Sequence, residues 1–234
     1  MQKGKIIVIE GTDCSGKETQ SKKLAEALTN NGFKTVRMQF PMYDTPTGQI
    51  VGGPYLGKDY ICEGFFPEGA AHVDPKVASL YYAADRKYNM PKIMEQINNG
   101  VNVILDRYVY SNMGHQAGKI KDEVEQNEMI AWLEKLEFDF LELPRPDMTI
   151  FLFMPYEATL ELRKGREEKP DQLEADPEHI ICAQNTYLKL AKKFLYEQID
   201  CVENGRIKTP DEIADEVYKK VINTYYFDME ETNE

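Results

Sequence analysis

Cysteine and histidine are scarce in this 234-residue chain, and a long apolar run is missing. The four cysteines are widely spaced with no C-x-x-C pair, so we expect reduced thiols in a cytoplasmic protein and no disulfide framework. The three histidines are scattered, which argues against a structural zinc site. No apolar run approaches the roughly 18 residues that cross a bilayer, and the N-terminal sequence MQKGKIIVIEGTD does not resemble a secretion signal.

A net positive charge is also absent. The chain has 40 acidic and 28 basic residues, which gives a formal net charge of −12 at pH 7. Such a surface repels nucleic acid at long range. Any ligand that carries phosphate must therefore be a small molecule held by a local concentration of positive groups. We expect neither a nucleic acid nor a membrane as a partner.

Short apolar runs alternate with helical patterns along the whole chain. This alternation predicts an α/β fold in which helices cover both faces of a parallel sheet. Residues 1–227 are expected to form a single domain, and residues 228–234 an acidic tail. The runs that predict the five strands are KIIVIE (5–10), KTVRMQF (34–40), VNVILD (101–106), MTIFLF (148–153) and IDCVE (199–203).

Two stretches depart from this regular alternation. A long helical pattern runs from Asp74 to Gly100, and its internal Pro91 predicts a kink or a break. Residues 52–73 contain five glycines and two prolines. Because an ordinary structureless loop seldom exceeds about 12–15 residues, we expect this glycine-rich segment to be a functional insert or flap.

The sequence GTDCSGKETQ, residues 11–20, follows the first predicted strand and opens a helix. It matches G-x-x-x-x-G-K in the strand-to-helix setting that defines a P-loop, in which backbone N–H groups and the helix dipole bind phosphate. The pattern predicts the P-loop NTPase fold and a bound nucleotide whose β- and γ-phosphates meet Lys17. The residues expected to contact the nucleotide are Gly11, Cys14, Ser15, Gly16, Lys17, Glu18 and Thr19.

Glu18 occupies the position at which a magnesium-binding hydroxyl is usual. Thr19 cannot simply replace it, since one residue turns about 100° around a helix. Mg²⁺ binding would then depend on the phosphates, on water and on a carboxylate at a strand end. Asp106 ends the third predicted strand and is the candidate, although Asp106 and Arg107 could instead form a plain salt bridge.

The block DRYVYSNMGHQAGK (106–119) gives the chain a specific resemblance. Together with the P-loop, FPMY (40–43) and YYAADR (81–86), it resembles the thymidylate kinases in order through almost the whole chain. The resemblance implies ATP-dependent phosphorylation of dTMP to dTDP with Mg²⁺. It also implies a homodimer.

Several residue roles follow from the resemblance alone. It assigns Asp13 to the 3′-hydroxyl of the acceptor, Tyr82 to stacking on thymine, Arg86 to the thymine 4-carbonyl, and Arg107 to the acceptor phosphate. Asn112 corresponds to a partner for the base edge, and His115 stands where an aromatic residue often excludes a 2′-hydroxyl. The remaining positions expected in the acceptor site are Phe40, Pro41, Tyr43, Ser111 and Gln116.

Helix geometry supports the expectation that Tyr82 and Arg86 bind the same base. The two residues are four apart on a predicted helix and so share one face, where a ring and a donor fork can serve one base. Cytosine would oppose Arg86 with a second donor, which costs on the order of 1–3 kcal/mol. Taken without the resemblance, Tyr82 could be ordinary core, and Arg86 could form a surface ion pair with Asp85 or a nearby acid.

A second source of positive charge is expected in a lid over about residues 163–176. The P-loop position that carries an arginine in some thymidylate kinases is Cys14 here, whereas RKGREEKPDQLE concentrates basic residues around a glycine. We assign Arg166 to the transferring phosphate and Arg163 to the adenine side. The alternative is a solvated helix end in which Glu167 and Glu168 pair with the basic residues.

Lys17, Arg107, Arg166 and Asp13 form the predicted catalytic set. No general base is needed, because a phosphate monoester oxygen is already a nucleophile at neutral pH; His72 and His179 therefore receive no role. The alternatives are a kinase for another nucleoside monophosphate or for a deoxynucleoside, a P-loop regulatory protein, and an inactive scaffold. A guanine-specific switch is disfavoured because the chain has no N-K-x-D string.

Overall fold

Five parallel strands form the central sheet of the computed structural model, which describes residues 3–12, 14–163, 173 and 176–225. Their order across the sheet is β2-β3-β1-β4-β5, and every neighbouring pair is parallel. The predicted parallel sheet of five strands is confirmed. The strands are β1 (Ile6–Gly11), β2 (Thr35–Gln39), β3 (Asn102–Asp106), β4 (Met148–Phe153) and β5 (Glu197–Asp200).

Helices cover both faces of this sheet, as its strand composition requires. Side chains of β1 alternate between two separate cores: Ile6 and Val8 pack in one, and Ile7 and Ile9 in the other. All four are at most 3% exposed. A strand with both faces covered needs an uninterrupted apolar run, which is why KIIVIE lacks the polar alternation of a half-exposed strand.

Helices connect the strands, and three of the helices continue directly into short π-helical turns. A two-residue hairpin, β6 (Val202–Glu203) with β7 (Arg206–Ile207), follows β5. The helices are α1 (Lys17–Asn30), α2 (Pro46–Ile50), α3 (Pro75–Asn98), α4 (Val109–Asn112), α5 (Glu123–Glu134), α6 (Tyr156–Arg163), α7 (Pro177–Lys193) and α8 (Pro210–Tyr225). The π-helical turns, which follow α2, α4 and α5, are Val51–Tyr55, Met113–Ala117 and Lys135–Phe140.

Helix α3 runs through Pro91 without a break. Asp74 caps its N-terminus by accepting from the backbone N–H groups of Lys76 and Val77 at 2.9 and 3.1 Å. Pro91 is exposed, and so is Lys87, whose carbonyl loses its helical donor. Water can therefore replace the missing hydrogen bond, which explains why the proline is tolerated here.

The glycine-rich segment is packed rather than structureless. Its first residues belong to the Val51–Tyr55 turn, and Tyr55 and Leu56 join a buried cluster with Ala70 and Val73. A Cβ built on Gly52 would lie 2.8 Å from the Tyr43 ring, so this backbone approach requires glycine. Both ends of the segment therefore pack against the rest of the protein.

In the described part of the chain, no helix is both long enough and apolar enough to cross a membrane.

Candidate active site

A cavity of about 620 Å³ opens where β1, β2 and β3 end. The P-loop borders one side of it, and the residues that follow β2 and β3 border another. The structure thus brings together most of the residues that the sequence analysis selected. Those on the cavity wall are Cys14, Gly16, Lys17, Glu18, Thr19, Phe40, Pro41, Tyr43, Tyr82, Arg86, Asp106, Arg107, Ser111, Asn112, His115 and Gln116.

The P-loop backbone is shaped by two glycines. A Cβ on Gly11 would lie 2.5 Å from the Ser15 Oγ and 2.8 Å from the Leu152 carbonyl oxygen. Gly16 takes a left-handed conformation (φ 87°) immediately before α1, and Cys14 is left-handed as well, with φ 61°. These conformations direct the loop towards the N-terminus of α1, where anions are stabilised.

Lys17 is 6% exposed, and its Nζ donates to the Thr12 carbonyl oxygen at 2.5 Å. Two P-loop hydroxyls, Thr12 Oγ1 and Ser15 Oγ, are buried without a hydrogen-bond partner in the described residues. A buried hydroxyl without a partner is costly, but neither Thr12 nor Ser15 lies on the cavity wall, so Lys17 is the group of these three that a ligand in the cavity can reach.

The Glu18 side chain is largely exposed to solvent at the cavity wall. It is 67% exposed and pairs with Lys22 at 2.6 Å, one turn along α1. The exposed orientation reduces its repulsion of phosphate, as expected for a carboxylate that replaces the usual hydroxyl. Thr19 is likewise exposed at the rim of the cavity.

Asp106 pairs with a cation that the sequence analysis did not identify. The Arg37 Nη2 donates to Asp106 Oδ2 at 2.7 Å and to Gln39 Oε1 at 3.1 Å, and the Arg37 Nε donates to Ser21 Oγ at 2.7 Å. No group of three or more metal-binding side chains occurs within the ranges that the structure describes. Asp106 therefore fits only a metal ion whose other ligands come from the substrate and water.

The FPMY segment after β2 is held by Asp85 on α3. The buried Asp85 carboxylate accepts from the Met42 N–H at 2.9 Å and from the Thr47 Oγ1 at 2.8 Å. Phe40 and Pro41, joined by a cis peptide bond, lie on the cavity wall with Tyr43. Asp85 is thus a support for the wall and not the ion-pair partner of Arg86.

Arg86 forms a buried bidentate pair with Glu137, which the sequence analysis also missed. The Arg86 Nη2 donates to Glu137 Oε1 at 2.6 Å, and its Nε donates to Oε2. The side chains are 2% and 0% exposed. Burial lowers the pKa of Arg86, but the charge and hydrogen bonds of Glu137 outweigh burial and raise it. The alternative of a surface ion pair is therefore wrong.

Asn112 and Gln116 bring unpartnered amide atoms to the same wall. The Asn112 Nδ2 donates to Glu137 Oε1 at 2.9 Å and to the Ser79 carbonyl at 3.2 Å, while its Oδ1 is buried without a partner among the described residues. The Gln116 Nε2 and Oε1 are also buried without a hydrogen-bond partner among the described residues. Tyr82, half-buried, faces the cavity nearby and packs edge-on against Tyr55.

Arg107 follows β3 in a left-handed conformation with φ 67°, a strained position that is typical of functional sites. Its Nη1 lies 3.5 Å from Ser111 Oγ and 3.3 Å from His115 Nε2. The strained turn is supported by Glu10, a buried residue of β1. Glu10 accepts from the N–H groups of Tyr108 and Ser111 at 2.9 and 3.0 Å, and from Ser111 Oγ at 2.6 Å.

Burial raises the pKa of the Glu10 carboxyl, and these hydrogen bonds only partly counter that effect. The sequence signal for Glu10 is an acidic residue at the end of an apolar strand, the same signal that selected Asp106.

Part of the predicted lid lies outside the described residues, including Arg166, Lys164 and Lys169; Asp13 is outside them as well. Arg163 ends α6 and is half-buried but is not on the cavity wall. Leu162 and Leu173, which flank this part of the lid, do line the cavity.

The parallel sheet, the P-loop at the end of β1 and the second polar wall beside it define a P-loop kinase. The chain belongs to the thymidylate kinase family, whose sequence model matches residues 9–204.

Individual relatives agree with this assignment. Human thymidylate kinase is 30% identical over 151 residues, which are 64% of this chain and 61% of the human protein. Thymidylate kinase of Schizosaccharomyces pombe is 28% identical over 94% of this chain and 93% of its own length. A probable thymidylate kinase of Thermococcus onnurineus is 31% identical over 81% of this chain and 85% of its own length.

A solved structure of thymidylate kinase from Candida albicans shares the fold. Its TM-score is 0.71, its sequence identity is 24%, and the match covers 95% of this chain and 92% of that one.

Proposed function

We propose that this enzyme transfers the γ-phosphoryl group of ATP to the 5′-phosphate of dTMP and releases ADP and dTDP. The observation that carries the proposal is one cavity whose wall contains both the P-loop lysine, Lys17, and the strained Arg107. The same wall holds Asn112 Oδ1 and the Gln116 amide, which have no hydrogen-bond partner among the described residues. A donor site and an acceptor site in one cavity allow two phosphates to meet in line.

The donor phosphates bind at the P-loop. Lys17 and the N–H groups at the start of α1 neutralise their charge, and the helix dipole adds to this effect. Phosphoryl transfer depends mainly on positioning and charge neutralisation, which is what these groups provide. Gly11 and Gly16 shape the loop.

The acceptor base binds between Tyr82 and the amides. Thymine presents a carbonyl, an N–H and a second carbonyl along its edge, and Asn112 Oδ1 can accept from the N–H. The Gln116 amide can both donate and accept. Arg86 is fixed by Glu137, and one N–H of its Nη1 donates to the Tyr108 carbonyl oxygen at 3.4 Å. We assign the second N–H of this nitrogen to the thymine 4-carbonyl.

The acceptor phosphate binds to Arg107, whose planar fork suits a phosphate. Asp13 would hold the 3′-hydroxyl of the deoxyribose. Arg166 of the lid would neutralise the transferring phosphoryl group, and Arg163 would lie towards adenine. Lid closure would exclude water, so that the acceptor phosphate attacks instead.

Magnesium would be bound by the nucleotide phosphates and water, with Asp106 as the protein carboxylate, and would neutralise phosphate charge when present. Asp106 Oδ2 is held by Arg37, which leaves Oδ1 for the metal or its water shell. Arg37 thereby orients the carboxylate. Because the four cysteines are free thiols, we place the reaction in the cytoplasm, a reducing compartment.

The proposal is tested by following ADP release with a panel of acceptors: dTMP, dUMP, dCMP, the ribose form of TMP, and thymidine. We expect dTMP to give the highest kcat/KM. Release that does not require an acceptor would identify an ATPase or a switch, and no release with any acceptor would identify an inactive scaffold. A preference for another monophosphate would keep the reaction but change its substrate.

The Arg107→Ala variant separates a monophosphate kinase from a nucleoside kinase. Loss of dTMP turnover with no thymidine turnover is the expected result, since the arginine serves only a phosphate. Retained thymidine turnover in this variant would favour a deoxynucleoside kinase.

We also propose that the enzyme is a homodimer that pairs through α3. Five exposed apolar residues lie within one narrow stripe of this helix, at spacings of three or four residues. They are Val77, Leu80, Ala84, Tyr88 and Pro91. A second copy of the same uncharged stripe is a suitable partner, because apolar faces of equal length bury each other without leaving an unpaired charge.

A further inference from the structure

Two buried histidines connect Arg107 to the first turn of α7. His115 lies on the Met113–Ala117 turn and is 8% exposed, and His179 lies on α7 and is 6% exposed. His115 Nε2 is 3.3 Å from Arg107 Nη1, and His115 Nδ1 is 3.2 Å from His179 Nε2. Three side chains from three elements thus form one chain of hydrogen bonds.

This chain has one consistent arrangement of protons. A guanidinium group is only a donor, so His115 Nε2 must accept from Arg107. A neutral His115 then carries its proton on Nδ1 and donates it to His179 Nε2. His179 Nε2 must in turn accept, which places the proton of His179 on Nδ1.

We propose that His179 is a positioning residue: by accepting from His115 Nδ1–H it fixes the tautomer in which His115 holds Arg107 at the acceptor phosphate. The inference rests on the proposed function, which gives Arg107 that phosphate. His115 is a suitable holder, because a neutral imidazole orients the guanidinium without adding a negative charge that would compete with the phosphate.

Close backbone packing keeps the two imidazoles at this distance. The two rings are nearly parallel, with centroids 5.4 Å apart and planes 17° apart, and they meet edge to edge at the two nitrogens. A Cβ on Gly114 would lie 2.6 Å from the Tyr187 ring, and one on Gly118 would lie 3.1 Å from the Ala183 backbone. The turn that carries His115 is therefore pressed directly against α7, and a side chain at position 179 acts on His115 without an intervening element.

The tautomer is measured by NMR on the whole protein with ¹⁵N-labelled imidazoles, near neutral pH. The chain has three histidines, so variants at His72 and His179 assign all of the signals. We expect His115 to show a protonated Nδ1 and an unprotonated, accepting Nε2. A proton on His115 Nε2 overturns the proposal.

Kinetics provide the second test. His179→Leu removes the acceptor, whereas His179→Gln keeps one, because the Gln Oε1 can replace the imidazole Nε2. We expect the leucine variant to raise the KM for dTMP about tenfold, with the KM for ATP changed less than about twofold. The glutamine variant should restore most of the dTMP affinity. His72→Leu, at an exposed histidine, is the matched control and should leave both constants unchanged.

An unchanged KM for dTMP in His179→Leu, or equal impairment by Leu and Gln, contradicts the proposal. If the leucine variant does not fold, the tautomer of the wild type and the kinetics of His179→Gln still decide the question. A wild type without dTMP kinase activity would refute the proposed function but would leave the tautomer measurement valid. The two failures are therefore distinguishable.

Discussion

Two buried acidic residues stabilise the groups that border the cavity, and they do so in different ways. Glu137 neutralises Arg86 and also accepts from Asn112, so one carboxylate fixes two members of the cavity wall. Glu10 mainly accepts from backbone N–H groups and from a hydroxyl, and so it fixes the turn that presents Arg107. Both residues support the site from outside it.

Removing Glu137 should strongly destabilise the fold. Glu137→Ala leaves the Arg86 charge buried and unpaired, which costs about 3–5 kcal/mol of unfolding free energy. Denaturation with urea measures the change. Glu134→Ala is the matched control, because Glu134 lies one turn earlier. Among the described residues its ion pairs are longer and partly exposed, with Arg145 at 3.4 Å and Lys193 at 3.3 Å. The control should lose less than about 1 kcal/mol. Equal losses in the two variants would refute the role given to the buried pair.

Glu10 should make stability fall as pH rises above its ordinary pKa. Its folded pKa is raised above 4.5, so from about pH 4.5 up to that folded pKa the folded state binds more protons than the unfolded state. Glu10→Gln does not titrate. Over this interval the wild type should therefore lose stability relative to the variant as pH increases, measured by urea denaturation at a series of pH values. If the stability of the wild type relative to Glu10→Gln stays constant or increases with pH over this interval, burial does not dominate at Glu10.

The sequence reveals the residues of the cavity more readily than it reveals their supports. Asp106, Arg107, Tyr82 and Arg86 stand in short local motifs, and the structure places all four on one wall. Glu137 is 51 residues from Arg86, on a stretch with several other acidic residues, and no local pattern distinguishes it from them. Such pairs are set by the packing of α3 against the Lys135–Phe140 turn, which a single sequence does not encode locally.

At the scale of elements, local sequence alone does not determine the backbone at Pro91 or at the glycines of residues 52–73. The chemistry of Pro91 predicts a kinked or broken helix, but α3 continues through it, and its exposed position lets water replace the lost hydrogen bond. The composition of residues 52–73 predicts irregular backbone, whereas Gly52 and Gly53 allow close packing against Tyr43 and Ile61. Local propensity describes the backbone that a residue prefers, and the environment decides whether that preference matters.

Lys119 should hold the glycine-rich segment in place. Its Nζ donates to the carbonyl oxygens of Ala70 and Val73 at 2.9 and 3.0 Å, and to the Tyr55 hydroxyl at 3.4 Å. Burial lowers the pKa of this ammonium to about 8, with Asp74 opposing the shift. Lys119→Met removes all three donors, so amide hydrogens of this segment should exchange at least about tenfold faster.

The matched control for Lys119→Met is Lys121→Met. Lys121 is two residues further along, is 81% exposed and pairs only with the exposed Glu178 in the described contacts. Lys121→Met should leave amide hydrogen exchange in residues 52–73 unchanged. Hydrogen exchange followed by mass spectrometry resolves this segment. Unchanged exchange in Lys119→Met would show that apolar packing alone fixes the segment.

At the scale of the whole molecule, strand order determines where the chemistry can occur. Strand β1 pairs with β3 in the centre of the sheet, and Ile9 is in register with Asp106. The P-loop after β1 and the Asp106–Arg107 turn after β3 therefore emerge side by side, although about ninety residues separate them in the sequence. The topology therefore brings the P-loop and the Asp106–Arg107 turn to one cavity, and the motifs supply the side chains.

The exposed stripe of α3 should determine the oligomeric state. It runs over about 21 Å of the helix, a length that a second copy can cover. Leu80, one of its members, is 51% exposed, and Leu80→Glu would bury an unpaired charge against the apolar stripe of the second copy. We expect a dimer for the wild type and a monomer for Leu80→Glu in sedimentation velocity at micromolar concentration. Val124→Glu is the control, since Val124 is 67% exposed on α5, outside the stripe, and should leave the dimer intact. A wild-type monomer, or a Leu80→Glu variant that still dimerises, would exclude α3 as the interface.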